Sequence, residues 1–297
     1  MSQALSPSAN RPYGLARVCR AWEVPRSTVY AHREGQTRSL GPTSSGQKRG
    51  PRGPYTDEEL VEHIREVLAA SPWVGEGHRK VWARLRHAGV RTSKRRVLRL
   101  MREQGLLAPR RAGRPHGPQA HDRTIIPEQP DQMWGTDTTS TRTGEGNATI
   151  FFVVDHCTAE CLGIHTARRG TRFEAIEALR QSVTHSFGTY AEGAGQTTGL
   201  RLRHDHGSPF VSDLFQSELR FLGIDSSPSF VREPEGNGCA ERFVRTLKEQ
   251  LLWLRWFGTA EELGQALQDF RERYNREWLI ERHGHRSPAA RRADLAA

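Results

Sequence analysis

The sequence has no apolar run approaching the roughly 18 residues that a membrane-spanning helix needs. Its first residues, MSQALSPSANRPYG, lack the apolar segment of a secretory signal. The chain therefore reads as cytoplasmic. Cysteine is scarce: Cys19, Cys157, Cys161 and Cys239 form no C-x-x-C pair. That spacing suits neither a disulfide framework nor a zinc site. None of the 13 histidines stands at finger spacing from a cysteine pair, so the thiols are expected to be reduced and structural. Acidic residues are sparse in the front of the chain. Residues 1–120 carry 23 Lys and Arg against 9 Asp and Glu, whereas residues 121–297 carry 21 against 25. A basic front joined to a mildly acidic back implies a polyanion-binding part followed by a chemically different one.

What is present begins with short helices. In residues 1–34, Leu15, Val18 and Cys19 share one helical face, and Val24-Pro25-Arg26-Ser27 reads as a turn into a second helix with Pro near its first position. Arg26, Ser27, Thr28 and Tyr30 would lie on the exposed start of that helix, the part a helix-turn-helix offers to the major groove. A plain helix pair fits the same residues. Residues 35–54 hold eight Gly or Pro and read as a basic linker. Residues 55–108 predict three helices. Thr56-Asp57-Glu58-Glu59 opens the first as a capping box, with Leu60, Ile64, Val67 and Leu68 inward and Pro72 beyond its end. The second runs from His78 to His87, with Val81, Trp82 and Leu85 inward; its first turn includes Arg79 and Lys80. The third, Lys94 to Gln104, places Val97, Leu98 and Met101 inward and Lys94, Arg95, Arg96, Arg99 and Arg102 outward. Such cations could contact DNA phosphates, which position a protein without reading sequence, or form a solvated face. Residues 109–131 read as a second linker.

The pattern then changes. Met133 to Thr141, Ala148 to Asp155 (ATIFFVVD) and Cys161 to Thr166 read as three strands with hairpin spacing. A helix capped by Thr171 follows, then a strand Leu200 to His204, a helix capped by Ser212, a short strand 223–227, and a helix opening at Asn237. The order β-β-β-α-β-α-β-α predicts an α/β domain, residues 132–257, with a central mixed sheet and a helical tail, 258–297. In the last helix of the domain, Ala240, Val244, Leu247, Leu251 and Leu254 fall on one face, and Glu241, Arg245 and Lys248 on a neighbouring one. An acid one turn before two bases is, taken alone, a surface salt-bridge ladder.

Two other carboxylates change that weighting. Asp137 lies within the first strand, and Asp205 ends the fourth, followed by His206-Gly207-Ser208. Sites in open α/β sheets gather outside strand ends. Three carboxylates suit two Mg2+ ions, which take hard oxygen ligands and leave positions for water and phosphate oxygens. Trp134-Gly135-Thr136-Asp137-Thr138-Thr139, His204-Asp205-His206-Gly207-Ser208-Pro209-Phe210 and Asn237-Gly238-Cys239-Ala240-Glu241-Arg242-Phe243 with Thr246-Leu247-Lys248 resemble the three signature segments of insertion-sequence transposases of the DDE, retroviral-integrase-like superfamily. Tyr274-Asn275 and Ser287-Pro288-Ala289 resemble the tail of the second-reading-frame product of the copy-out, paste-in elements. The sequence departs from the family pattern at His206, at His204 directly before Asp205 where a Ser or Thr often intervenes, and over Trp278 to His285.

The resemblance implies an RNase H-like mixed five-stranded sheet with flanking helices, preceded by small all-α DNA-binding domains. It implies Asp137, Asp205 and Glu241 as ligands of two Mg2+ ions, with Mn2+ as substitute, and DNA contacts from Asn237, Arg245 and Lys248. It further implies binding to terminal inverted repeats and target DNA, strand cleavage, and strand transfer by a freed 3′-OH. A homodimer or larger assembly on DNA, an upstream-frame fusion or partner, and a nucleoid-associated bacterial protein follow as expectations. A catalytically silent DNA-binding regulator, or a nuclease without strand transfer, would share most of these residues.

Overall fold

The computed structural model describes residues 3–38, 54–109, 125–190, 196–229 and 237–296. The chain divides into two units, Met1–Pro54 and Tyr55–Ala297. The expected linkers at 35–54 and 109–131 lie largely outside the described residues. Among the described residues no helix is long and apolar enough to cross a membrane, and the four cysteines are free and buried.

The first unit contains α1 (Leu15–Ala21) and α2 (Arg26–Arg38). The turn between them is closed by the Val24 amide on the Cys19 carbonyl, and Cys19 is buried. Pro25 precedes the first helical residue, where its missing N–H costs nothing. Helix α2 runs four residues past the expected end at Glu34.

The second unit opens with α3 (Asp57–Ala70), α4 (His78–His87) and α5 (Lys94–Glu103). The capping box is formed: Thr56 accepts from the Glu59 amide and Glu59 from the Thr56 amide. Leu60, Ile64, Val81, Leu85, Val97, Leu100 and Met101 make the core of this bundle. Leu100 holds the place expected for Leu98, which is only partly buried.

Strands β1 (Met133–Thr143), β2 (Gly146–Asp155) and β3 (Cys161–Ala167) form the antiparallel meander. Helix α6 (Arg172–Phe187) follows, then β4 (Arg201–His204), α7 (Asp213–Leu222) and β5 (Asp225–Pro228). Helix α8 (Gly238–Leu247) passes into a π-helical turn (Lys248–Leu252), then α9 (Ala260–Glu277) and α10 (Pro288–Ala296). The sheet order is β3-β2-β1-β4-β5, with β4 parallel to β1 and β5 parallel to β4. Both faces are covered, which is why ATIFFVVD is continuously apolar rather than alternating. Phe151 and Val153 pack under α6 and α7. Ile150, Phe152 and Val154 pack under α8 and α9.

The three-helix bundle and the sheet domain are joined by side chains as well as by the chain. Trp73, between α3 and α4, enters the core on the α8–α9 side, edge-on to Phe270 and Trp278. Val74 exchanges two backbone hydrogen bonds with the Gln250 side chain. Asp131, assigned by sequence to a linker, instead accepts from Arg292 of α10 and from the Trp134 indole. Arg292 also pairs with Glu160, so the tail helix is fastened to the end of the sheet.

Candidate active site

Position 137 lies in the middle of β1, opposite Phe152 of β2. Strand parity turns it to the α8–α9 face of the sheet. Its Oδ1 accepts from the Thr138 amide at 2.7 Å. Asp205 follows β4 directly, beside β1. Its Oδ1 accepts from the Gly207 amide at 2.9 Å, which fixes the turn that exposes it. His204 beneath it donates from Nδ1 to the Asp205 carbonyl at 2.7 Å, and its Nε2 meets Ser226 Oγ at 2.8 Å. Burial holds His204 below the ordinary imidazole range, in its neutral form. His206 donates to the Ser229 carbonyl at 2.9 Å, closing the other side of the turn.

Glu241 sits in the first turn of α8, exposed, while Cys239, Ala240, Phe243, Thr246 and Leu247 are buried on the opposite side. The expected apolar stripe fails at its end. The π-helical turn over Lys248–Leu252 shifts the register, so Leu252 is buried and Leu254 is exposed. The surface ladder is not formed either: among the described residues Glu241 makes no ion pair with Arg245 or Lys248.

The charges of Asp205 and Glu241 instead bear on Asp137. Burial raises the Asp137 carboxyl from 3.8 to about 6, the Thr138 amide opposes that, and the charges of Asp205 and Glu241 raise it further. Lys248 is near enough to pull it down. Like charges gathered on one partly desolvated face create a demand for cations. Among the described residues no three acidic, histidine or cysteine side chains close tightly enough to form a finished ion cage. The donor set, three carboxylates with solvent access at two of them, fits a hard divalent cation that keeps water ligands.

The other expected contacts divide. Arg26, Ser27, Thr28 and Tyr30 are exposed at the start of α2, as read from the sequence. Arg95 and Arg245 are exposed and Lys248 is half-buried. Arg102 of α5 is exposed too, while five others have partners within the protein. Arg96 and Arg99 both bind Asp57, at 2.8 and 2.6 Å, and hold its carboxyl below the usual range. Arg79 binds both oxygens of Glu281 at 2.8 Å. The Lys80 ammonium lies over the Trp278 ring and Lys94 over Trp82. These five were expected to face phosphate; salt-bridge and ring partners 12 to about 200 positions away were not visible in local spacing.

Asn237, also expected at DNA, is buried at 7% exposure, and its Nδ2 donates to the Thr136 carbonyl at 3.0 Å. Sequence reasoning missed its neighbour Gly135, where a Cβ would come within 2.6 Å of both Asn237 Oδ1 and His156 Nε2. A glycine inside a strand two residues before a candidate ligand was the available signal, since it marks close approach of another group.

Family comparisons agree with this architecture. Residues 127–234 and 222–288 each match a model described as an integrase core domain, and residues 56–114 match an HTH-like domain. Transposase InsD of insertion element IS2A/D/F/H/I/K from Escherichia coli is 26% identical over 290 residues, covering 94% of this chain and 90% of that one. The insertion element IS2A uncharacterized 48.2 kDa protein of Escherichia coli is 25% identical over 297 residues; the match covers 96% of this chain and 66% of that protein's length. Among solved structures, a chain of the simian T-cell lymphotropic virus intasome in complex with PP2A regulatory subunit B56 gamma aligns at 18% identity and TM-score 0.46, covering 71% of this chain and 70% of that one. The chain belongs to the integrase-core family, among the DDE transposases of insertion sequences.

Proposed function

We propose that Asp137, Asp205 and Glu241 together hold two Mg2+ ions, with Mn2+ able to replace them, and that the chain uses this site to cut and join DNA at the ends of its own element. The observation that carries the reading is placement: Asp137 on the α8–α9 face of β1, Asp205 directly after the neighbouring β4 and Glu241 in the first turn of α8, with both charges near enough to bear on Asp137. When bound, such ions activate an attacking oxygen and stabilise the leaving oxygen of a phosphodiester. The protein's part is to hold the DNA backbone in line with the three carboxylates. Asp137 is fixed by the strand, Asp205 by its turn, and Glu241 by the first turn of α8. Lys248, near Asp137, and Arg245, one turn beyond Glu241, offer cations to the phosphates on either side of the scissile bond. The attacking groups are water and then the freed 3′-OH, so no serine or tyrosine nucleophile is called for.

DNA is the partner, in the form of terminal inverted repeats and a target duplex. Pairing two ends calls for at least two copies of the chain, with or without an upstream-frame product. The exposed start of α2 and Arg95 and Arg102 of α5 offer cations for holding that DNA outside the site.

The test is Asp205→Asn assayed on duplexes carrying the element ends. Mg2+-dependent strand cleavage should be lost while end binding persists. Normal cleavage by this variant sinks the site assignment. End binding by the unaltered protein with no cleavage at any Mg2+ concentration would make the chain a DNA-binding regulator instead.

A further inference from the structure

We infer that Asn237 is a positioning residue: its buried amide takes the place of a missing strand beside β1 and thereby sets where Glu241 stands relative to Asp137. The inference rests on the carboxylate site proposed above.

The backbone of β1 explains why such a group is needed. Carbonyls of alternate residues along a strand point to the same side. The Gln132 carbonyl accepts from Arg201 of β4, so those of Trp134 and Thr136 point toward β4 as well. The pairing of β1 with β4, however, ends at Gly135–Arg203. Beyond it β4 turns away to present Asp205. Thr136, the residue immediately before Asp137, is thus left with a carbonyl facing a strand that has stopped. Asn237 Nδ2 meets that carbonyl at 3.0 Å, across 101 positions of sequence.

The choice of residue and its conformation support the same role. Asn237 occupies the N-cap position of α8, where an asparagine side chain ordinarily accepts from a backbone amide of its own helix. Here it makes no such bond; the side chain turns away from α8 to β1. The helix forgoes its own cap for a cross-link to the strand. Glu241 lies four residues later, one turn along the helix that this bond anchors.

The space around the bond is closed. Asn237 Oδ1 and His156 Nε2 both border the small volume above Gly135, each 2.6 Å from where a Cβ would sit, and the two side chains face each other there. His156 is itself fixed by Nδ1 on the Ile125 carbonyl and by its amide on the Met133 carbonyl. Gly135 is therefore the only width of residue that lets the amide reach Thr136. At 7% exposure, the Asn237 amide is turned to Thr136 and not to the surface.

Asn237→Ser tests this. Serine preserves the N-cap preference and so spares the helix, but is too short to reach Thr136. The probes are Mn2+ alone, titrated calorimetrically into the full-length protein, and a 30-bp duplex of arbitrary sequence, bound in EDTA and read by fluorescence anisotropy. The expected result is Mn2+ affinity about 10- to 100-fold weaker, the range for losing a residue that orients a metal ligand. The thermal midpoint should fall by only a few degrees, the cost of leaving the Thr136 carbonyl without its partner, and duplex affinity should stay near that of the unaltered protein. Gly135→Ala should reproduce the loss of Mn2+ affinity by displacing the amide. Unchanged Mn2+ affinity in Asn237→Ser overturns the inference, as does a fall in duplex affinity with Mn2+ binding intact, which would make Asn237 a DNA contact. Asp205→Asn separates the two levels. If that variant binds Mn2+ as the unaltered protein does, the carboxylate site itself is wrong; if it loses Mn2+ while Asn237→Ser does not, only the positioning role falls.

Discussion

Replacing Asp137 by Asn should make the metal-free protein more stable, which is the reverse of what removing a buried, hydrogen-bonded side chain usually does. The carboxyl is raised from 3.8 to about 6 by burial first and by Asp205 and Glu241 after it. The folded state therefore binds this proton more tightly than the unfolded chain. Between about pH 4 and pH 6 the native protein keeps a proton that the unfolded one has lost, so stability falls as pH rises through that window and stays lower above it. At 1.36 kcal/mol for each tenfold difference in proton affinity, the full penalty above pH 6 is about 3 kcal/mol. Asparagine has the same shape and carries none of it. Urea unfolding in EDTA should show Asp137→Asn more stable by about 2–3 kcal/mol at pH 8 and by only about 1 kcal/mol at pH 4.5, where little of the penalty remains. Added Mg2+ should then stabilise the unaltered protein and leave the variant unmoved, since a ligand stabilises only the state that binds it. A variant no more stable than its parent at pH 8 in EDTA would refute the claim that this carboxyl bears the cost of burial beside two like charges.

Other outcomes follow from the packing. Trp73→Ala empties the contact with Phe270 and Trp278 and should cost about 3–5 kcal/mol in denaturant unfolding; a loss below 1 kcal/mol would mean the α3–α4 connection is not anchored in the sheet domain. Asn275 accepts from the Cys161 amide and donates to its carbonyl, both at 2.9 Å, where β3 breaks register with β2. Asn275→Ala leaves both groups buried and unpaired and should cost about 2–4 kcal/mol, with faster hydrogen exchange at the Cys161 amide as the local readout. Arg95→Ala should lower the salt dependence of duplex binding by about one unit of slope, whereas Arg96→Ala should leave it unchanged, because Arg96 is held by Asp57. Equal slopes for the two variants would contradict that division of the α5 cations.

What the sequence made legible was what local physics determines. ATIFFVVD reads as a strand covered on both faces, and it is one. Thr56 and Ser212 read as caps, and each accepts from the amide three residues on, whereas Thr171 takes the N-cap place of α6 without a side-chain bond. The carboxylates were legible because their neighbours set them at a strand interior, a strand end and a helix start. What was hidden depended on distant partners. Arg96 and Arg99 look like free cations until Asp57, some 40 positions earlier, is folded against them. Asp131 looks like linker until Arg292 reaches it. Leu254 fits a 3.6-residue period that the chain abandons at the π-helical turn. The role of Asn237 could not be read at all without knowing that β4 stops at the level of Gly135.

The central claim is that Asp137, Asp205 and Glu241 share bound metal. It is tested most directly by anomalous diffraction from crystals of the protein grown with Mn2+. Peaks between the Asp137, Asp205 and Glu241 carboxylates, lost in Asp205→Asn crystals, are the predicted result. Mn2+ bound elsewhere, with these three side chains uncoordinated in a protein that cleaves DNA, would contradict it.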